Sequence, residues 1–92
     1  MVPSAVTLPL TIVLLKSAAK ALASVDSTMR KRMKEKIEAV AADPLNPANS
    51  KPLEGTLKRS ARVGGYRILV EIEEPNLLVV HIGSRGQVYR KV

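Results

Sequence analysis

Between Asp26 and Pro44 the apolar residues return every three or four positions, and from Leu57 onward they return every second one. Residues one turn apart share a helix face, whereas alternate residues share a strand face, so the change of period divides the chain into a helical part and a sheet part. In the helical part Met29, Met33, Ile37, Val40 and Ala41 form one stripe, with Asp26 or Ser27 placed to cap its start. The opposite side carries Arg30, Lys31, Arg32, Lys34, Glu35, Lys36 and Glu38 and is read as a solvated face. Asp43-Pro44 ends the helix, because proline restricts the residue before it and has no amide hydrogen.

The alternating part resolves into strands. Leu57 to Val63 is one, Gly64-Gly65 a tight turn, Tyr66 to Glu73 the next, Glu74-Pro75-Asn76 a second turn, and Leu77 to Gly83 a third strand, with a last short one expected from Gln87 to Arg90. Before the long helix, Leu10 to Leu15 is apolar on both faces, as in a buried strand that a helix covers, and Ser17 opens an alanine-rich helix to about Ala23. The order predicts an α+β fold: an N-terminal strand, a two-helix hairpin, then a three- to four-stranded antiparallel meander with both helices on one face of the sheet. Residues 43–56, with three prolines, two asparagines and a glycine, are expected to be a long loop.

At 92 residues and 46% hydrophobic content the chain supports one core, and residues 1–92 are read as a single domain with residues 1–9 as a loose tail. Cysteine is absent, and His81 is the only histidine, so neither a disulfide framework nor a structural zinc set is expected. This composition fits a reducing cytosol. The apolar start, Met1 to Leu15, has no basic residue before it and is interrupted by Pro3 and Pro9, so neither a signal peptide nor a membrane span is expected.

The net charge of +7 is spread over both halves, seven basic against four acidic residues in 1–50 and eight against four in 51–92. Such a surface attracts polyanions or an acidic protein. Alternation puts Lys58, Ser60 and Arg62 on one strand face and points Arg67 away from Tyr66 and Ile68, so Lys58, Arg62, Arg67 and Arg85 can converge on the uncovered side of a curved sheet. Charge alone does not separate a phosphate-binding cleft from a solvated sheet face. His81, sharing a period with Leu77 and Val79, is expected to be a half-buried, hydrogen-bonded packing residue and is left out of the site. No phosphate-cradling glycine loop, nucleophile triad or metal-ligand cluster is visible, and with Tyr66 and Tyr89 the only aromatics a stacking platform is not expected.

Several strings then occur in a familiar order. They are Lys16-Ser17-Ala18-Ala19-Lys20-Ala21-Leu22, Lys34 to Pro44, Leu53-Glu54-Gly55, Arg62-Val63-Gly64-Gly65-Tyr66-Arg67, and Ile82-Gly83-Ser84-Arg85 followed by Val88-Tyr89-Arg90. Over roughly residues 10–92 the chain resembles the RelE/ParE toxins of bacterial and archaeal toxin-antitoxin pairs, the RelE branch more than the ParE one. The resemblance implies a single RelE-like domain acting in the cytoplasm as a ribosome-dependent endoribonuclease, which cuts messenger RNA in the A site by attack of a 2′-hydroxyl, with no metal or cofactor. By motif match Arg67 would clamp the transition state, Arg85 assist the leaving oxygen, Tyr89 stack on or orient the substrate, and Lys58 and Arg62 bind phosphate or favour deprotonation; Arg59, Arg90 and Lys91 are read with Arg62 as RNA contacts. Implied partners are a small acidic antitoxin, the ribosome with its messenger, and operator DNA through the antitoxin. The alternatives are a ParE-like inhibitor of DNA gyrase and a non-catalytic basic module. Two positions depart from the pattern: Ser60 stands where a second lysine or arginine is usual, and Ser84 where histidine is frequent, which implies a slower or an inactive nuclease.

Overall fold

The computed structural model describes residues 8–84. The expected strand Gln87 to Arg90, residues 1–7 of the tail, and Arg85, Tyr89, Arg90 and Lys91 lie outside the described residues. In chain order the elements are β1 (Thr11–Leu14), α1 (Lys16–Ser24), α2 (Ser27–Ala42), β2 (Lys51–Pro52), β3 (Lys58–Val63), β4 (Tyr66–Glu73) and β5 (Asn76–Ser84).

Asp26 is the cap of α2. Its carboxylate accepts from the Met29 amide at 2.7 Å, satisfying one of the donors a helix start leaves open. The predicted stripe faces inward: Met33, Ile37, Val40 and Ala41 are buried and Met29 is half-buried against the same core. Arg30 departs from the predicted solvated face. Its guanidinium donates to the carbonyls of Leu22 at 3.1 Å, Ala23 at 3.2 Å and Val25 at 2.8 Å, so a cation closes the end of α1 and fixes the junction between the helices.

The sheet order is β1-β5-β4-β3-β2. The meander β3-β4-β5 is antiparallel as expected, whereas β1 pairs parallel with β5 and makes the sheet mixed. The two helices between β1 and the meander carry the chain over the sheet and allow that parallel return. Helices cover one face, where Ala61, Val63, Ile68, Val70, Leu77, Val79 and Ile82 meet the α2 stripe and Ala18 and Leu22 of α1.

Two expectations fail at the edge of this core. The first strand is not a buried one: it is an edge strand, and Ile12, Leu14 and Leu15 are each more than a third exposed. Leu10, just before it, is what the fold buries. The second is the strict alternation along β5. Leu69 pairs with His81 but Val70 pairs with Val79, leaving Val80 as an extra residue in β5. Such a bulge shifts the alternation, and Ile82 joins Leu77 and Val79 in the core where strict period two would have put His81. The imidazole Nδ1 lies 2.6 Å from the Ser17 hydroxyl at the start of α1, in the half-buried, hydrogen-bonded role expected of it.

The β3–β4 turn depends on one glycine more than the other. Gly64 has φ +58°, and a Cβ there would meet the Met29 methyl at 3.3 Å. Gly65 has no positive φ and nothing within 4 Å of a built Cβ. Gly64→Ala is therefore expected to cost about 1–2 kcal/mol, read as a fall of several degrees in melting temperature, with Gly65→Ala close to the parent. Equal effects at the two positions would contradict the turn geometry.

Candidate phosphate-binding cleft

On the face of the sheet away from the helices, strand register assembles the charged residues. Cross-strand partners are Arg62 with Arg67, Ser60 with Leu69, and Lys58 with Glu71. Like charges placed directly opposite one another repel. The Arg62–Arg67 pair therefore puts two guanidiniums where an anion between them would lower the energy of both. Arg67 is half-buried and donates from Nη1 to the Ser60 hydroxyl at 3.3 Å, diagonally across from β4 to β3.

Lys51, Pro52, Leu53, Ser60, Arg62 and Arg67 line a cleft of about 390 Å³. That volume lies in the range of small-ligand sites, roughly 300–1,000 Å³. Its described lining holds three cations and neither a carboxylate nor an imidazole. Arg62 is exposed, because β2 is paired only to Arg59 and Ser60 and leaves the rest of that edge open. It also lines a second groove with Arg32, Glu35, Lys36, Ala39, Val63 and Gly64.

The remaining expected residues fall differently. Lys58 shares the face of Ser60 and Arg62 but stands opposite Glu71, outside the cleft lining. Glu71, directly opposite Lys58, is thus a carboxylate in register with one of the expected site cations. Arg59 points the other way and is committed locally: Nε donates to the Ser50 hydroxyl at 2.8 Å and Nη2 to the Ser50 carbonyl at 3.0 Å. Ser50 is 2% exposed, so this guanidinium ties down the loop that leads into β2. Lys51 was not anticipated at all. Its signal in the sequence is a lysine beside a proline in a loop, which carries no register.

The family model described as the ParE toxin of the type II toxin-antitoxin system, parDE, matches residues 12–89. No curated protein matches the sequence significantly. Among solved structures, the RelB-RelE antitoxin-toxin complex of Methanococcus jannaschii is similar at 26% identity over 87% of this chain and 98% of that one, with a TM-score of 0.68. The isolated RelE toxin of E. coli is similar at 24% identity over 89% of this chain and 93% of its own, TM-score 0.72. The intact E. coli RelBE toxin-antitoxin complex gives 21% over 82% and 95%, TM-score 0.73. The fold is thus RelE-like. With a family match running from β1 past the end of β5, the chain belongs to the ParE toxins of type II toxin-antitoxin systems.

Proposed function

We propose that this toxin is a ribosome-dependent endoribonuclease that cuts messenger RNA in the A site and is held in check by a small acidic antitoxin. The observation that carries the proposal is the opposed Arg62–Arg67 pair, with Arg67 aimed along a cleft whose described lining is cationic. In the proposed step the ribose 2′-oxygen forms a bond to the neighbouring phosphorus and the bond to the 5′-oxygen breaks. The products are a 2′,3′-cyclic phosphate and a 5′-hydroxyl, the 2′-hydroxyl proton going to solvent or a nearby base and the 5′-oxygen taking up a proton. Negative charge builds on the phosphoryl oxygens as the bond forms, and fixed guanidiniums stabilise that charge more than the ground state. Arg67 is the clamp and Arg62 the second phosphate ligand. Arg85 assists at the leaving oxygen, Tyr89 orients the substrate and the Lys58 ammonium, by its charge, favours deprotonation of the 2′-hydroxyl.

Guanidiniums and ammoniums are poor proton acceptors at neutral pH. Catalysis here rests on charge and alignment, so free RNA should react slowly and the ribosome supply the alignment. The antitoxin would cover the same basic surface, and operator DNA would be reached through it. The family match favours a second reading, inhibition of DNA gyrase, in which the cleft would serve a protein contact. Expression without antitoxin separates the two. Growth arrest with messenger cuts inside ribosome-bound codons is the expected result, whereas intact messenger with gyrase-linked DNA breaks would replace it with the second reading.

A further inference from the structure

Lys51 enters the cleft from a segment that looks like a connector, and everything around it fixes its backbone. Residue 51 precedes a proline, which favours extended geometry. On one side Arg59 holds Ser50 through two hydrogen bonds. The Asn49 side chain donates to the Ala39 carbonyl at 3.1 Å and fastens the same stretch to the end of α2. On the other side Leu53 donates its amide to the Lys58 carbonyl at 3.0 Å. Between these anchors β2 pairs in register, Lys51 with Ser60 and Pro52 with Arg59. Directly opposed residues share a sheet face, so Lys51 lies on the face of Ser60, and both line the cleft. The Lys51 side chain itself is exposed.

Ser60 gives this placement its consequence. It is small, 7% exposed, and already accepts from Arg67. The floor of the cleft between Lys51 and Arg67 is therefore a short hydroxyl side chain, with room above it for an anion. A lysine is suited to such a rim position, because its ammonium is a compact charge on a flexible stem that can follow a phosphate oxygen.

We infer that Lys51 is a third phosphate-binding residue of the cleft, contributed by the short edge strand β2 and contacting the RNA backbone together with Arg62 and Arg67. The inference rests on the proposed RNA-cleaving function and specifies how that site holds its substrate. Lys51 contacts phosphate in the ground state and the transition state alike, so it governs affinity rather than the chemical step.

The test compares the full chain with Lys51→Ala, Lys51→Arg, Arg67→Ala and Lys20→Ala, the last in a groove formed by α1 on the helix side of the sheet. Binding of a short single-stranded oligoadenylate is measured over a salt series. Lys51→Ala and Arg67→Ala should each reduce the slope of log affinity against log salt by about 0.7. Lys51→Arg should keep the parent slope, and Lys20→Ala should not change it. If Arg67→Ala lowers the slope and Lys51→Ala does not, Lys51 is a solvated lysine and the inference fails while the cleft stands. If Lys20→Ala lowers it as much as Lys51→Ala, binding is diffuse and the inference also fails. On programmed ribosomes Lys51→Ala should raise KM about tenfold with kcat nearly unchanged, and a fall in kcat at constant KM would overturn the binding role. Parent protein that binds the oligonucleotide through Lys51 yet leaves ribosome-bound messenger intact would retire the nuclease reading and keep the phosphate site.

Discussion

Replacing Arg67 with alanine should abolish growth arrest and lower messenger cleavage on ribosomes by about 100- to 1,000-fold, the loss typical of removing one fixed donor from a developing oxyanion. The fold should survive. Arg67 stands opposite Arg62, so its removal relieves a like-charge pair even as it takes a donor from the Ser60 hydroxyl. Arg67 lies outside the core cluster, so urea unfolding should change by far less than a core truncation costs. Arg67→Lys keeps the charge but loses the planar fork that grips two oxygens, and it should fall between the parent and the alanine variant. A fully toxic Arg67→Ala protein would move the chemistry elsewhere on the molecule.

One residue along the strand, the expected outcome inverts. Ile68 is fully buried, pairing with Ala61 and Ile82 in the middle of the sheet, and belongs to the cluster that α2 covers. Ile68→Ala leaves a cavity under the helices and should cost about 2–5 kcal/mol. A domain of this size has a total stability of about 5–14 kcal/mol, so the substitution removes a large share of it and should cut the amount of soluble protein. Leu57→Ala is the control, since Leu57 is 85% exposed and should leave urea unfolding unchanged. Toxicity lost in Ile68→Ala without a shift in the urea midpoint would contradict the division of β4 into a core face and a cleft face.

That division was legible in the sequence because strand alternation is a local property. The same holds for α2, whose stripe, cap and stop all lie within a few residues of one another, and for the Gly64-Gly65 turn between two β-rich runs. Reading failed where a contact between distant segments decides the outcome. Nothing near Leu10–Leu15 indicates that β5 is its partner or that the strand lies at an edge, so apolar residues on both faces suggested a buried strand. The extra residue at Val80 is set by pairing with β4, and period two therefore puts His81 at the core position that Ile82 takes. Arg30 and Arg59 read as solvated or RNA-facing cations, yet each is used up on carbonyl or hydroxyl oxygens that only the fold brings near. Lys51 is the functional counterpart of those cases. Its place in the cleft follows from a two-residue strand that composition obscures behind prolines and asparagines. Of the candidate site, the opposed arginines were readable from spacing around the turn, whereas the residue that faces Ser60 required the register.

The central claim is that this toxin breaks RNA by 2′-hydroxyl attack within a cationic cleft, and it is tested most directly with purified protein on ribosomes carrying a defined A-site codon. Two messengers are compared, one all-ribose and one with a single 2′-deoxy sugar at the attacking position. The account predicts a cut in the first, leaving a 2′,3′-cyclic phosphate and a 5′-hydroxyl, and no cut at the modified position in the second. Intact messenger in both cases, or equal cutting of both, would contradict it.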